Sequence, residues 1–257
     1  DWDRLRRLAE RNAAALIESG RGRILRGWIE RIPQELAAEH PWLRYWHGMS
    51  LRLPEPDRSA ALLESAFEAF RQSDDVVGQY TAWLARAEAA LIRFDDVRPL
   101  ERSIAAYHAL RQRAPRCPDL ALRLKTTALA GAVMSVVEPE NPRLHRLIRI
   151  AEVGARVMPM KVPRQALFVY LILHYANTGQ IARMRAMARH LLPRLDDAGL
   201  PAPLRLFGYA MVGLHELISG APHADRTLRS AVELAKTMGA GAFYTMPQCY
   251  RVYLALL

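Results

Sequence analysis

The sequence contains little cysteine and almost no lysine. Cys117 and Cys249 are its two cysteines, and neither belongs to a C-x-x-C pair, so the sequence predicts no disulfide framework and no zinc-ribbon site. Only Lys125, Lys161 and Lys236 are lysines among the 36 basic side chains. Arginine therefore supplies nearly all of the positive charge.

Strand, membrane and targeting patterns are missing too. No period-two alternation bounded by hairpin turns is sustained, and no apolar run reaches the roughly 18 residues that span a bilayer. The N-terminal segment does not resemble a signal peptide. Because 51% of the residues are hydrophobic, disorder is excluded. We expect an all-α protein of the cytoplasm, where unpaired cysteines stay reduced.

Catalytic and cofactor motifs are absent. The HExxH zinc-protease motif is approached at residues 215–219, but Ser219 replaces the second histidine, and a lone His and Glu cannot fill a three-ligand site. No G-x-S-x-G nucleophile elbow occurs. The segment Gly20–Arg23 lacks the G-x4-G-K-[ST] spacing that cradles phosphate. The sequence therefore predicts a protein that is not an enzyme and that holds no cofactor or metal.

What the chain does contain is a repeated series of helix-length apolar runs, separated by Pro, Gly or Asp-Asp breaks. The first helices of successive pairs are predicted to open near Pro41, Val76, Pro118, Pro163, Pro201 and Gly241. Intervals of roughly 35 to 46 residues are typical of helical repeats. We predict an all-α, right-handed superhelical solenoid of antiparallel helix pairs. Residues 1–40 would form an N-terminal helical junction, and residues 41–257 one continuous tetratricopeptide-like array.

Local signals predict several helix boundaries. The first helix is expected over roughly Trp2–Glu18, with a short second helix over Arg23–Ile32 that is ended by a proline. Asp57 is a plausible N-cap, Pro118 is expected at the first position of its helix, and Asp95–Asp96 is expected to start another.

The tetratricopeptide pattern W-x2-L-G-x2-Y is matched in a degenerate form. Phe168, Leu171, Ile172 and Tyr175 fit it, with Phe in place of Trp and Ile in place of Gly. The irregular spacing indicates a divergent relative of the standard 34-residue repeat. Small residues such as Gly48, Ala66 and Gly213 would let two helix backbones approach closely.

Two adjoining segments carry a more specific similarity. Residues Gly20–Pro33 (GRGRILRGWIERIP) and His40–Gly48 (HPWLRYWHG) resemble the junction in large LuxR-type, MalT-like transcriptional activators. In those proteins a basic segment precedes tetratricopeptide-like pairs. The resemblance covers the whole chain in organisation, but motif-level similarity is confined to residues 20–91.

The resemblance implies a sensor arm of a signalling protein. An upstream ATP-binding switch module and a downstream helix-turn-helix DNA-binding domain would belong to the parent protein, and the helical array would receive an effector small molecule or a protein or peptide partner. This chain shows neither module and ends inside the apolar run Tyr250–Leu257, so we expect it to be a piece of a longer protein. The fragment itself is expected to contact neither nucleic acid nor a membrane. The alternative is a tetratricopeptide-like interaction scaffold with no small-molecule ligand.

The ligand or partner groove is predicted on the first helices of the pairs. Setting Gly48 at the small-residue position directs the nearby side chains of that helix toward a concave face, and the same register applied to residues 168–175 selects Val169 and Leu173. Tyr170 and His174 lie beside that line, and Trp83 and Arg86 are candidates on a helix whose register is ambiguous. The predicted groove residues are Trp42, Tyr45, Met49, Trp83, Arg86, Val169, Tyr170, Leu173 and His174. Aromatic residues at helical spacing are also common packing residues, so core positions remain the alternative.

The net positive charge has two possible interpretations. The net charge of +10 and the pI of about 10.1 fit either solvated arginine faces or an anionic partner. Basic residues are scattered over most helices, which weakens the case for direct DNA binding. The densest group is predicted to contact the upstream module and consists of Arg4, Arg7, Arg11, Arg21, Arg23 and Arg26.

Overall fold

The computed structural model describes residues 1–92 and 96–256, and it describes the side chains of all of these except 92, 242–246, 253, 254 and 256. Every regular element within those two ranges is a helix, which confirms the all-α prediction. The chain divides into two compact units, unit 1 over residues 1–119 and unit 2 over residues 120–257. The helices of residues 1–40, for which the sequence predicts a junction, belong to unit 1 and pack against the next helix of that unit.

Unit 1 contains seven helices in its described residues. They are α1 (Trp2–Glu18), α2 (Gly22–Ile29), α3 (Gln34–Ala38), α4 (Pro41–Leu51), α5 (Pro56–Gln72), α6 (Val76–Ile92) and α7 (Arg98–Arg113).

Unit 2 contains seven further α-helices in its described residues, with a short 3₁₀ turn after the fourth. They are α8 (Leu120–Val137), α9 (Leu144–Val157), α10 (Lys161–Asn177), α11 (Ile181–Leu191), the 3₁₀ turn (Leu192–Arg194), α12 (Ala202–Ile218), α13 (Ala224–Met238) and α14 (Gly241–Leu256).

The predicted openings of the first helices agree with the structure to within two residues. Helices α4, α6 and α14 begin at the predicted residue, while α8, α10 and α12 begin within two residues of it. Pro118 was wrongly placed inside its helix, since α8 begins at Leu120. Asp57 lies in the first turn of α5 and is not the N-cap, which is Glu55. Asp95 lies outside the described residues, and Asp96 accepts a hydrogen bond from the Arg98 amide at 3.0 Å.

The first helices of unit 1 form a small core of their own. Alanines of α1 pack against Leu25 and Ile29 of α2 and Leu43 of α4, all of them buried. Leu25 and Ile29 lie one helical turn apart and therefore share a face. Trp28 and Trp46 cover the edge of this cluster. The junction segment is thus held to α4 by apolar burial.

Tight helix pairs follow, and small residues allow them. A Cβ atom added at Gly48 of α4 would lie 2.9 Å from Cγ of Leu63 on α5, so the backbones approach as the small residue predicted. The Ser59 hydroxyl donates to the Gly48 carbonyl across this contact at 2.8 Å. In unit 2, a Cβ at Gly213 of α12 would lie 2.5 Å from Cδ2 of Leu228 on α13. In each case the glycine and the leucine are fifteen positions apart in sequence, so the two helix pairs pack in the same way at this contact.

The helices of unit 2 pack in a repeating order. Each packs against the next along the chain from α8 to α14, and α8 also contacts α10, α10 contacts α12, and α12 contacts α14. In unit 1 the same relation joins α4 to α6. Short left-handed turns separate the helices, as at Gly179 and Gly239, whose φ angles are +67° and +65°. Glycine suits these positions because it has no Cβ to strain.

Helix α8 departs from one expectation. Its 18 residues have a mean hydropathy of 1.4, so it is long and apolar enough to cross a membrane, whereas no run of that kind was expected. Within unit 2, however, 67% of those residues are buried, and α9 and α10 pack against the helix. This enclosure is typical of a core helix.

Candidate functional site

The predicted groove residues of α4 are only partly accessible. The Trp42 ring lies edge-on to the rings of Tyr45 and Phe70, with centroid separations of 5.6 and 4.9 Å. Tyr45 is buried, and this burial raises the pKa of its hydroxyl. Trp42 and Met49 are half-buried and keep some exposed surface. These two side chains remain available to a ligand on α4.

The two predicted groove residues of α6 are engaged within unit 1. Trp83 is 0% exposed, and its indole N–H donates to the Ser103 carbonyl at 2.8 Å. A fully buried indole offers no surface to a ligand, so the structure corrects Trp83 to a core residue. The Arg86 guanidinium forms an ion pair with Glu64 and lies 5.1 Å from the centroid of the Phe67 ring. Its charge is thus balanced inside the unit.

On α10, three of the four predicted groove residues are core residues. Val169, Tyr170 and His174 are buried, and only Leu173 is half-buried. The His174 Nδ1 atom has no hydrogen-bond partner among the described residues. Burial lowers the pKa of His174 to about 4, so the ring is neutral near pH 7. The packing alternative therefore describes most of this set.

The predicted basic contact divides into two groups. Arg4, Arg7 and Arg11 are exposed and share one face of α1, because they follow at three- and four-residue intervals. No described residue supplies an acidic partner to these three side chains. Arg26, in contrast, is half-buried and forms an ion pair with Glu55 at 2.6 Å.

The two remaining predicted arginines, Arg21 and Arg23, lie at the start of α2. Both are exposed. They add positive charge beside the end of α1.

A cavity of about 730 Å³ opens among α2, α3, α4 and α5, and we call it the junction cavity. Glu30 is the carboxylate that its basic side chains share: Oε1 of Glu30 lies 3.5 Å from Nε2 of His47 and 3.2 Å from the Arg58 guanidinium. Arg44 donates to the Ser65 hydroxyl at 2.7 Å. Burial and the neighbouring Arg58 lower the pKa of His47, while Glu30 opposes that shift. The two arginines of this cavity therefore have acceptors within the chain.

A second cavity, of about 270 Å³, lies in unit 2 between the end of α9, the start of α10 and the end of α11. Three arginines line it, Arg156, Arg164 and Arg194, and we call it the arginine cavity. The rings of Phe168 and His190 are stacked along it, with centroids 5.5 Å apart and planes inclined by 17°. Its walls thus combine positive charge with a flat aromatic surface.

The charges of the arginine cavity are poorly balanced. The side chains of Arg156 and Arg164 form no hydrogen bond or ion pair with any residue that the structure describes. Arg194 donates to the backbone carbonyl of His190. The single carboxylate in the lining, Glu152, accepts a hydrogen bond from the Tyr175 hydroxyl. Three guanidinium groups therefore face one carboxylate that is already engaged.

Sequence reasoning did not find this cavity. Its arginines come from three different helical elements and are separated by up to 38 positions. No local spacing connects them, because only the packing of α9, α10 and α11 brings them to one place. The α9 arginines that stand out in sequence, at 143, 146 and 149, are exposed and line neither cavity.

Metal ligation has no support in the described ranges. No group of three His, Cys, Asp or Glu side chains within them could hold a metal ion. His215 and Glu216, the two matching residues of the incomplete HExxH pattern, are both buried on α12. The Ser219 hydroxyl lies 3.2 Å from Nδ1 of His215, so that histidine has a local partner.

The chain matches no protein-family model, and no curated protein matches it significantly in sequence. Function is therefore assigned from the side chains and surfaces described above.

Proposed function

We propose that this chain is a non-catalytic sensor and interaction domain of a bacterial LuxR-type, MalT-like transcriptional regulator. The observation that supports this proposal is the repeated order of helix contacts, in which α8, α10, α12 and α14 each touch the next of the set. Stacked helix pairs of this kind suit a superhelical solenoid. In a solenoid the first helices present one continuous surface for an effector or a protein partner.

The mechanism is a population shift. An effector that binds one arrangement of the array more tightly than another favours that arrangement by its difference in binding free energy. In the proposed parent protein, an upstream ATP-binding module and a downstream DNA-binding domain respond to that shift. Nucleotide hydrolysis and DNA contact belong to those modules, and this domain works in the cytoplasm.

The accessible groove residues make the proposal testable. Thermal-shift titration of the chain with small sugars and metabolites should find an effector that raises Tm progressively, with the logarithm of its concentration, once that concentration exceeds Kd. Trp42→Ala and Met49→Ala should then weaken binding of that effector. Trp2→Ala is the matched control, because Trp2 is exposed on α1 and lies outside the groove. Equal weakening in all three variants, or in none, would contradict the groove assignment.

One observation favours the second candidate, a protein-interaction scaffold without a small ligand. The face of α1 that carries Arg4, Arg7 and Arg11 also carries Leu8, which is 46% exposed. An apolar side chain among unpaired arginines suits an acidic protein surface.

Binding to the parent's upstream module, measured by surface plasmon resonance at several salt concentrations, tests the scaffold candidate. Replacing the three α1 arginines by glutamine should weaken binding and flatten its salt dependence. Replacing Arg143, Arg146 and Arg149 by glutamine removes the same charge from another exposed face and should leave binding unchanged. Equal effects from both triple variants would refute a specific contact at α1.

A further inference from the structure

We propose that the arginine cavity of unit 2 is a binding site for a small organic anion that carries a flat, apolar ring. The inference goes beyond the proposed function. The cavity contains none of the predicted groove residues, so it can bind such an anion whether or not the groove binds an effector.

The first argument is electrostatic. Arg164 is only partly exposed, and its guanidinium has no acceptor among the described residues. A guanidinium that loses water without gaining a partner carries a desolvation cost. The exposed arginines Arg146 and Arg149 carry no such cost, because water surrounds them. A bound anion would supply the acceptor that the Arg164 guanidinium lacks. Arg156 is exposed, so it carries no such cost, but it lines the same cavity and adds a second guanidinium for the anion.

The geometry of arginine decides which anions fit. The guanidinium group is planar, and its fork of N–H donors matches the two oxygens of a carboxylate or of a phosphate. Glu152 is held by Tyr175 on one side of the cavity and disfavours an anion there. The anionic group is therefore placed toward Arg156, Arg164 and Arg194.

The second argument concerns the body of the ligand. Phe168 and His190 present stacked rings, and Ala155 and Met187 complete an apolar wall. A flat ring can extend this stack at offset-stacking distances, and the Met187 thioether can contact its edge. Inorganic phosphate would satisfy the arginines but leave this wall bare.

The size of the cavity agrees with such a ligand. A volume of about 270 Å³ lies just below the range of roughly 300 to 1,000 Å³ that is usual for small-molecule pockets. A six-membered ring with one anionic substituent fits that space. A nucleotide or an oligosaccharide would extend beyond it.

The test is isothermal titration calorimetry of the chain with two probes, benzoate and phenyl phosphate. Binding of either probe is expected, and the tighter one identifies the carboxylate or the phosphate form of the ligand. Benzamide, which has the ring without the charge, and inorganic phosphate, which has the charge without the ring, should each bind about tenfold more weakly or not at all. Inorganic phosphate binding as tightly as both probes would overturn the proposal, and so would the failure of both probes to bind at millimolar concentration.

Variants locate the site. Arg164→Gln and Arg156→Gln should each weaken probe binding about tenfold, whereas Arg149→Gln, on the same helix as Arg156 but outside the cavity, should not change it. Met187→Glu places a tethered carboxylate in the cavity and should abolish binding while Tm is retained. Unchanged binding in Arg164→Gln and Met187→Glu would refute the site. Because none of these residues belongs to the groove, failure here leaves the sensor proposal untouched.

Discussion

The junction cavity and the arginine cavity are both lined by arginines, yet the two sets of arginines have different surroundings. In the junction cavity, Arg58 lies against Glu30 and Arg44 against Ser65. In the arginine cavity, Arg156 and Arg164 have no partner among the described residues. The contrast shows that a large arginine content does not by itself indicate how many arginines are free to bind a ligand. An arginine is available to a ligand only where packing leaves it without an internal acceptor.

The difference has a simple origin in the placement of the carboxylates. In unit 1, Glu30 directly follows α2 and Glu55 directly precedes α5. Each of these two carboxylates forms ion pairs with both Arg26 and Arg58. The four helical elements that line the arginine cavity (α9, α10, α11 and the 3₁₀ turn) bring one carboxylate, Glu152, to its lining. Positive charge is therefore largely unbalanced in the arginine cavity of unit 2, whereas carboxylates balance it in the junction cavity of unit 1.

The largest expected effect comes from leaving a paired arginine of unit 1 without its carboxylate. The Arg52 side chain is 6% exposed and forms an ion pair with Glu88 of α6. Glu88→Ala should lower the free energy of unfolding by about 3 to 5 kcal/mol, because it leaves a buried charge without this carboxylate. Urea denaturation measures the change. Glu233→Ala, which removes the exposed partner of Lys236, should leave the urea midpoint unchanged.

Acid titration compares the buried histidines of the two units. In the folded state the pKa of His174 is about 4, below the ordinary value of 6.5, so the unfolded chain binds the proton first as the pH falls. The free energy of unfolding should therefore be steady above about pH 7 and should fall by about 3 kcal/mol between pH 6.5 and 4.

The variant His174→Leu should flatten that dependence, as followed by urea denaturation at each pH. Some slope will remain, because burial also lowers the pKa of His215. His47→Leu should flatten it less, since Glu30 opposes the lowering of the His47 pKa. An unchanged slope in His174→Leu would show that this histidine is not held neutral.

A smaller effect is expected from breaking the network of the junction cavity. Glu30→Gln removes the carboxylate shared by Arg26, His47 and Arg58. The free energy of unfolding should fall by about 1 kcal/mol, because these groups are partly solvated. Glu35→Gln on α3 is the matched control, since Glu35 is exposed. Equal destabilisation by the two variants would show that the network contributes nothing specific.

The smallest effect should come from the arginine cavity itself. Arg156→Gln and Arg164→Gln should change the free energy of unfolding by less than about 0.5 kcal/mol, because no internal hydrogen bond or ion pair of these side chains is lost. Thermal and urea unfolding of the chain without added ligand measure this. A loss as large as that of Glu30→Gln would mean that these arginines hold the fold, and it would end the contrast between the two cavities.

The sequence predicted where several helices begin. The openings of α4, α6 and α14 were predicted to the residue, because prolines, glycines and Asp-Asp breaks act on the backbone beside them. The close approach at Gly48 and Gly213 was also predicted correctly. The Asp57 cap was wrong because a proline at the first helical position moved the cap to Glu55.

Side-chain exposure could not be predicted in the same way. Val169 fits the groove register on an isolated helix, and Trp83 and His174 were further groove candidates, but neighbouring helices cover all three. A first helix packed between two others is enclosed on most of its circumference, so one amphipathic register does not identify its free face. Of the nine predicted groove residues, Trp42, Met49 and Leu173 keep exposed surface without an internal ion pair.

What the sequence determined by itself was the all-α class, the residues near which six of the helices begin, and two glycines at which neighbouring helices approach closely. These features depend on hydrophobic period and on backbone signals a few residues long. The tertiary structure decided which arginines are paired, which aromatics are core, and where a cavity remains. Those outcomes depend on side chains such as Arg156 and Arg194, which come from separate helical elements 38 positions apart in sequence, and no local rule reaches that far.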